Sequence, residues 1–433
     1  MPLLTRKTSG IIIMAENERI EFTKEMKSTY KVLIPNMLPI QLGLLSEVFN
    51  LYGYNMELLR NSGRKIVECG LKYVHNDTCY PALLIIGQFI DALQSGKYDV
   101  HKTALMITQT GGGCRASNYI HLLRKALEKA DLGFVPVISL NFSGLEKNSG
   151  FKIKPSMFKM GIGAVAYGDL LMSLSNQVRP YEKTKGESDL LVQSWTRRLA
   201  KILSEGSGTS DKDMRKYMSL IVRDFERIPV DKRDTVKVGI VGEIFVKYSS
   251  LANNDLEKFL HEQGCEVMVP GLLGFVYFCI ENKCQDVELY GGSRVKQKIY
   301  ETVLDYTLRY EDIMNETVTS GGRFRKCSDY RKTKEYSGEV IGIGCKMGEG
   351  WLLPGEIVEL IHSGFDNIVC AQPFGCLPNH IVGKGMIRKI REQYPESNIV
   401  PIDYDPGATR VNQENRIKLM LAVAEESKNK NGR

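Results

Sequence analysis

Short apolar runs alternate with helix-patterned segments in two separate stretches of the chain, and this alternation constrains the fold most. The first stretch begins at residue 31 (KVLIP) and the second at residue 236 (VKVGIVGEIFV). Strands that alternate with helices are typical of a parallel sheet, because each crossover between parallel strands usually contains a helix. The sequence therefore predicts an α/β protein with two parallel-sheet domains.

The segment between these two stretches lacks strand-like runs and shows helical patterning broken by serine and glycine. We predict a helical insert at residues 151–232, between a first α/β domain at 30–150 and a second at 233–433. Residues 1–29 are predicted to form an N-terminal extension. Basic residues outnumber acidic ones by five in the insert, so it supplies most of the formal net charge of +7. The charge surplus is therefore a local property and gives little reason to expect nucleic-acid binding.

No apolar stretch in the sequence is long enough to cross a bilayer. The longest uncharged one covers residues 267–280 and is interrupted by Pro270, whereas a membrane span needs about 20 residues. The N-terminus shows neither a long apolar core nor a small-residue cleavage site, so we predict no signal peptide. We therefore expect a cytoplasmic protein whose ten cysteines stay reduced.

One cysteine occupies the position where open α/β sheets bind ligands, a loop that leads from a strand into a helix. This is Cys114, in residues 108–118 (TQTGGGCRASN). Gly112 and Gly113 allow close backbone approach, and Arg115 with the following helix N-terminus would stabilise an anion. The loop has neither a Walker A ending nor the GxGxxG spacing. A tight turn around a buried thiol remains the alternative.

Two further cysteines lie in loops of similar character. Cys79 precedes a helix in HNDTCYP, close to His75, and Cys376 lies in QPFGCLPNH, which ends at His380. The two histidines are candidate proton donors. None of the three cysteines belongs to a CxxC pair, which disfavours a zinc ribbon or a thioredoxin site. Widely separated single cysteines suit an iron–sulfur cluster assembled by the tertiary fold.

The other seven cysteines are weaker candidates for ligands. Cys345 lies in a glycine-rich loop (GIGCKMGEG) before a helix predicted to begin near Pro354, and Cys370 lies inside an apolar strand (NIVCA), so both remain undecided. Cys265, Cys279 and Cys284 are predicted to be core residues, and Cys69 to have a packing role. Cys327 is predicted to lie in a solvated basic loop (RFRKCSDYRKTK).

Three separated blocks of the chain resemble the 2-hydroxyacyl-CoA dehydratase family, in its activase-related branch that includes double-cubane-cluster proteins. A fourth block resembles the beginning of that family's second domain. The resemblance covers most of the chain. The blocks are residues 72–88 (KYVHNDTCYPALLIIGQ), 108–118 (TQTGGGCRASN), 370–382 (CAQPFGCLPNHIV) and 238–255 (VGIVGEIFVKYSSLANND).

The resemblance implies two flavodoxin-like or Rossmann-like domains and an iron–sulfur cluster, either [4Fe–4S] or double-cubane. Carried over by position, its ligands would be Cys79, Cys114 and Cys376, with Cys370 as a less favoured substitute for Cys376. The family also implies a separate ATP-dependent activase with its own cluster, which delivers a low-potential electron. In the dehydratases this electron makes a ketyl radical on a 2-hydroxyacyl-CoA, and water leaves.

The sequence also departs from this family. It shows no actin-like phosphate loops, so the activase is expected to be a separate chain. The dehydratases combine two unlike subunits, and a second dehydratase-like subunit or a homodimer is expected here. No residue pattern identifies a pocket for coenzyme A.

Two hypotheses for the function follow. In the first, the protein is a cluster-bearing, lyase-like dehydratase or an ATP-coupled reductase component of anaerobic metabolism, which acts on an acyl-CoA or a small molecule. In the second, it is a non-catalytic scaffold or binding subunit of the same fold. A nucleotide-binding oxidoreductase that uses the GGGCRA loop is a weaker third possibility, because the dinucleotide spacing is missing.

Overall fold

The fold was analysed in a computed structural model that describes residues 19–75, 77–109, 113–141, 146–231 and 233–431. Within these ranges the chain forms two four-stranded, fully parallel sheets surrounded by helices, which confirms the predicted α/β class with two parallel-sheet domains. Helices of the described residues are all too short or too polar to span a membrane.

The first sheet has the spatial order β2-β1-β3-β4. Both of its faces are covered by helices, which is why β1 and β3 are nearly continuous buried apolar runs. In its register, Val32 of β1 lies opposite Met56 of β2 and Ala104 of β3. Its elements are α1 (Met26–Thr29), β1 (Lys31–Ile34), α2 (Pro39–Leu51), β2 (Met56–Leu58), α3 (Arg64–Tyr73), α4 (Tyr80–Gln94), β3 (Thr103–Thr108), α5 (Tyr119–Lys129) and β4 (Val137–Leu140), with 3-10 turns at Val100–Lys102 and Arg115–Asn118.

Residues 19–29, the described part of the predicted extension, pack against the first sheet domain. Phe22 is fully buried, and its carbonyl accepts a hydrogen bond from the Gly150 N–H at 2.9 Å. These residues therefore belong to the folded core of that domain.

Three helices follow the first sheet: α6 (Pro155–Val178), α7 (Glu187–Ser204) and α8 (Asp211–Glu226). Helix α6 is buried on nearly all sides and connects the two sheet domains. The carboxylate of Asp169 accepts a hydrogen bond from Gln41 Nε2 of α2 at 2.9 Å and another from the Leu273 N–H of the second half at 2.9 Å. One buried side chain thus ties both halves to the helical insert.

The second sheet repeats the order of the first, as β6-β5-β7-β8. The long crossover between β6 and β7 contains four helices, of which the sequence patterning predicted only the last. The elements are β5 (Lys237–Gly242), α9 (Ile244–Tyr248), α10 (Ser250–Asn253), α11 (Leu256–Glu262), β6 (Glu266–Met268), α12 (Leu272–Tyr290), α13 (Arg294–Ser320), α14 (Tyr330–Val340), α15 (Leu352–His362), β7 (Asn367–Pro373), α16 (Ile387–Gln393), β8 (Asn398–Tyr404) and α17 (Arg410–Asn431), with a π-helical turn at Asn379–Gly383 and a 3-10 turn at Lys384–Met386.

In each half, a close pair of helices precedes the third strand. A Cβ atom added to Gly87 of α4 would lie 2.2 Å from the Ile66 carbonyl oxygen of α3, and one added to Gly355 of α15 would lie 2.5 Å from the Thr333 carbonyl oxygen of α14. Because α4 and α15 run back to the start of a parallel strand, their N-termini lie at the carboxyl edge of each sheet.

The strand order reverses between β1 and β3 in the first sheet and between β5 and β7 in the second. Such switch points are where open α/β sheets bind ligands. The two carboxyl edges approach each other, since the Ser249 hydroxyl after α9 donates to the Asn36 carbonyl after β1 at 3.5 Å. The fold therefore directs attention to the loops that follow β1, β3, β5 and β7.

Candidate metal centre

The three predicted cysteine ligands come from three different loops and share one electrostatic environment. Burial, followed by the charges of Glu243 and Cys114, raises the pKa of Cys79 to about 12. Burial also raises the pKa of Cys376, with contributions from the charges of Glu349, Glu243 and Cys79. Burial and nearby acidic groups therefore favour the protonated form of both thiols.

Cys79 is held at the start of α4. Its extended backbone precedes the helix, and its carbonyl accepts the Ala82 N–H at 3.0 Å, with Pro81 in the first turn. The thiol accepts a hydrogen bond from the Tyr119 hydroxyl at the start of α5. The pairing of α4 with α3 thus places this thiol at the carboxyl edge.

Cys114 follows β3 and precedes the 3-10 turn Arg115–Asn118. Arg115, predicted to offset anionic charge, donates from Nη1 to the Asp77 carbonyl at 2.7 Å and so ties the Cys114 loop to the Cys79 loop. Gly113 is required sterically, because an added Cβ would lie 2.2 Å from Met347 Sδ. Gly112, the other predicted glycine, lies outside the described residues.

Cys376 lies in the turn after β7. Its N–H donates to the Pro373 carbonyl at 3.1 Å, and Gly375 before it has a φ of +72°, which favours glycine. The backbone N–H of Asn379 donates to the Cys376 thiol and lowers its pKa, against the larger effect of burial. The following π-helical turn is a rare geometry that often marks functional sites.

The two predicted histidines differ in their positions. His380 donates its backbone N–H to the Cys376 carbonyl at 3.0 Å, and its Nδ1 lies 2.9 Å from the same oxygen. Its Nε2 lies 4.0 Å from Asp403 Oδ1. His75 is 74% exposed and its Nδ1 lies 3.4 Å from Asp77 Oδ2. His380 is therefore the better placed proton donor.

Two carboxyl groups that the sequence analysis missed lie beside the thiols. Glu243 directly follows β5 and Glu349 lies shortly before α15; they are 9% and 7% exposed. Burial, together with the charge of Glu349, raises the pKa of Glu243 to about 8, and burial raises the pKa of Glu349. Both charges act on Cys79, Cys114 and Cys376.

These carboxyl groups lack a cationic partner in the described part of the chain. The positive charge of Lys247 acts on both carboxyl groups. Its ammonium, however, binds both oxygens of Glu356 at 3.0 and 3.1 Å. Each carboxylate instead accepts backbone N–H groups: Val246 donates to Glu243 Oε2 at 2.8 Å and Ile244 donates to Glu349 Oε1 at 3.0 Å. A polar residue directly after a buried strand was the available signal for Glu243.

The undecided cysteines occupy other environments. Cys370 is fully buried in β7 and packs in the apolar core, with its Sγ 3.3 Å from the position of a Cβ added to Gly383. Cys345 is half-buried and its carbonyl accepts the Trp351 N–H at 2.7 Å. Of the five residues predicted as bystanders, Cys265, Cys284 and Cys327 are buried and Cys69 is half-buried. Cys279 is exposed, so the prediction of a core position is wrong for it. Cys327 is buried, so the prediction of a solvated loop is wrong at that residue.

The three thiols are the ligand type that iron–sulfur clusters use. Cys376 is buried, and Cys79 and Cys114 are half-buried. Among the described residues, His, Cys, Asp and Glu side chains form no group of three that could hold a metal ion. The buried Asn379 Oδ1 in the Cys376 loop has no partner within the described ranges.

In comparisons with known proteins, no family model and no curated sequence matches this chain. The resemblance to the dehydratase family therefore stays a prediction, and the function has to be argued from the site.

Proposed function

We propose that this protein is the iron–sulfur-cluster-bearing component of a cytoplasmic reductive system. It would accept a low-potential electron from a separate ATP-dependent activase and use it for radical or reductive chemistry on an acyl-CoA or another small molecule. Cys79, Cys114 and Cys376 would hold the cluster. The observation that supports the proposal is the contact between the three cysteine loops at the switch-point edge. Arg115 bonds to the Asp77 carbonyl, a Cβ added to Gly113 would meet Met347, and Glu349 bonds to Asn379 in the Cys376 loop.

The acids at the site favour their protonated forms in the absence of a metal. Burial raises the pKa of the thiols and of the two carboxyl groups, and the neighbouring Lys247 is already bound by Glu356. Iron would have to displace the thiol protons, because thiolates bind iron only when deprotonated. Arg115 would then offset part of the negative charge of the thiolate-bound cluster.

A cluster held by three thiolates keeps one iron open, which supplies either an electron or a Lewis acid to a bound substrate. The protein's own residues would orient and shield that position. The hydrogen bonds of Asn379 hold Cys376 and Glu349 in place, and His380, whose backbone N–H bonds to the Cys376 carbonyl, would be the proton donor. Two exposed apolar side chains on the Cys376 loop, Phe374 and Leu377, offer a contact surface for substrate or partner.

The test is reconstitution without oxygen. We expect the anaerobically purified protein, incubated with ferrous iron and sulfide, to turn brown and to hold about four irons and four sulfides per chain if a [4Fe–4S] cluster forms. Replacing Cys79, Cys114 or Cys376 by serine should abolish or strongly reduce uptake of both elements, because each thiolate would hold a different iron.

Cys370→Ser is the matched control, since it removes a buried thiol from β7, the strand that leads into the Cys376 loop, without touching the three proposed ligands. It should retain full iron and sulfide. A wild-type protein that stays colourless and iron-free would exclude the proposal and favour the scaffold hypothesis. Equal loss in Cys370→Ser and Cys376→Ser would mean that the ligand set is wrong.

A further inference from the structure

A groove on the flank of the second sheet lies apart from the cysteine loops. It has a volume of about 620 Å³ and runs between α16 and the edge strand β8. This volume falls within the range of small-molecule sites in proteins. The residues that line the groove are Lys384, Ile387, Arg388, Arg391, Glu392, Ile399, Val400 and Pro401. None of these described residues belongs to a cysteine loop, so the groove is a second candidate site.

One wall of the groove carries a surplus of positive charge. Lys384, Arg388 and Arg391 are spaced by four and three residues, which places them on one side of the 3-10 turn and of α16. Glu392 is the one acid among the described lining residues, and it accepts Arg388 Nε at 2.9 Å. Both members of that ion pair are exposed, and exposed pairs contribute little to stability. The wall therefore favours an anion.

The other two cations are only partly neutralised by the protein. The Arg391 Nη2 donates to the Ile399 carbonyl at 2.7 Å, and no carboxylate within the described ranges pairs with this guanidinium. Since arginine has five N–H donors, others remain for a ligand. The Lys384 ammonium lies 3.8 Å from Asp403 Oδ2, which is longer than a hydrogen bond. An anion could therefore bind here without breaking a strong ion pair.

The floor of the groove is apolar. Ile387 and Ile399 are buried, and Val400 and Pro401 are half-buried. An apolar ring that lies on this floor would lose contact with water, which is favourable. A floor of this kind beside a charged wall suits a ligand in which a ring is joined to anionic groups.

The outer edge of β8 disfavours an extended peptide as the occupant. In the register with β7, the backbone groups of alternate residues point away from the sheet, and these residues are Ile399, Pro401 and Asp403. Side chains of α16 and α17 donate to the carbonyls of Ile399 at 2.7 Å and Asp403 at 3.1 Å, and Pro401 has no N–H group. An added strand would therefore find few free partners at this edge.

We propose that the groove between α16 and β8 binds a nucleotide that carries two or more phosphate groups. The phosphates would lie against Lys384, Arg388 and Arg391, because guanidinium groups bind phosphate oxygens in pairs. The ring would lie on Val400 and Pro401. The three cations span seven residues, or roughly 10 Å of helix axis, so a single phosphate is too small to reach all of them. This site goes beyond the proposed function, because it does not require the cluster.

The first measurement is a calorimetric titration of the full chain, without iron, with ADP and with pyrophosphate. We expect saturable binding of ADP that weakens as salt is added, because salt screens exposed charges. Pyrophosphate lacks the ring and should bind roughly tenfold more weakly, since it buries no apolar surface. Absence of ADP binding would overturn the inference. Pyrophosphate that binds as tightly as ADP would also overturn it, because the groove would then recognise charge alone.

The second measurement uses the double variant Arg388→Gln/Arg391→Gln. It should weaken ADP binding roughly tenfold or more, because charge-assisted hydrogen bonds to phosphate are lost. The control is Arg197→Gln/Lys201→Gln, which removes two exposed cations of similar spacing from α7 and should leave the affinity unchanged. Equal losses in the two double variants would show non-specific attraction of the anion and would overturn the inference.

A charge reversal keeps the test decisive if circular dichroism shows that the double variant does not fold. The Arg388 side chain is 91% exposed, so Arg388→Glu should fold and should weaken ADP binding more than Arg388→Gln does. Unchanged affinity in Arg388→Glu would overturn the inference, as would a hexaglutamate peptide that binds more tightly than ADP. Iron and sulfide uptake enters none of these readings, so a failure here is distinct from a failure of the proposed function.

Discussion

The two halves of the molecule share one architecture but place different chemistry at equivalent points. Each half has four parallel strands in the same order and a close helix pair before its third strand. The first half supplies two thiols at its carboxyl edge, whereas the second supplies one thiol and two carboxyl groups. The equivalent positions are Cys114 and Cys376 after the third strand, Cys79 and Glu349 before the crossover helix, and Asn36 and Glu243 after the first strand. The comparison shows that the framework sets the positions and the loops set the ligands.

A glutamine has a similar role in both cysteine loops. QTGGGC at residues 109–114 and QPFGC at 372–376 each begin with a glutamine at the end of a strand. In the first half Gln109 Oε1 accepts the Ser139 hydroxyl of β4 at 2.8 Å, and in the second Gln372 Nε2 donates to Asp403 of β8 at 2.7 Å. Each glutamine thus ties the cysteine loop to the neighbouring strand.

The largest effect on stability should come from cutting the tie between the halves. Asp169→Ala would leave two buried donors, Gln41 Nε2 and the Leu273 N–H, without an acceptor. We expect a loss of about 2–4 kcal/mol in the free energy of unfolding, measured by denaturant titration. Asp169→Asn keeps one acceptor oxygen and should lose less. Equal stability of Asp169→Ala and wild type would show that the halves are held together elsewhere.

The next effect tests whether the two helix pairs are equivalent. Gly87→Ala and Gly355→Ala would each push a methyl group into a backbone carbonyl of the partner helix. Both should destabilise the protein by about 1–3 kcal/mol, seen as a lower thermal midpoint. Gly43→Ala in α2 is the control, because its added Cβ meets no described atom within 4 Å. It should stabilise by about 0.5–1 kcal/mol.

The third effect is a change in the pH dependence of the free energy of unfolding, and it has opposite signs in the two halves. Burial raises the pKa of Glu359 in the second half to about 8, against about 4.3 in an unfolded chain. The contribution of Glu359 to the free energy of unfolding is therefore complete below pH 4.3 and declines as the pH rises to about 8. Glu359→Gln should flatten this decline by up to about 1.4 kcal/mol per pH unit, measured as unfolding free energy against pH.

Glu57 in the first half provides the contrast. Burial opposes ionisation, but hydrogen bonds from Lys31, Lys97 and Tyr98 lower the pKa of Glu57 to about 2. The contribution of Glu57 to the free energy of unfolding is present above pH 4.3 and is lost as the pH falls towards 2. Glu57→Gln should therefore change the free energy of unfolding chiefly in its dependence on pH below about 4.3. A change in slope between pH 5 and 8 in this variant would contradict the assignment.

Much of the fold was predictable because buried parallel strands leave a strong pattern. The runs KVLIP, KTALMIT and NIVCA all form strands where they were expected, since both faces of these strands are apolar. Helices α12 to α14 were not predicted. The uncharged start of α12 continues the apolar run of β6, so no change of period marks the boundary.

The sequence by itself determined the α/β class, the two sheets and the loop position of Cys79, Cys114 and Cys376, because these depend on short-range patterns of apolar residues, glycine and proline. Only the tertiary structure decided which groups meet. Glu243 and Glu349 are 106 residues apart in the chain, and an isolated glutamate in a loop gives no sign of burial. They become neighbours because two crossover connections return to the same sheet edge, where desolvation changes ordinary surface acids into strongly interacting groups.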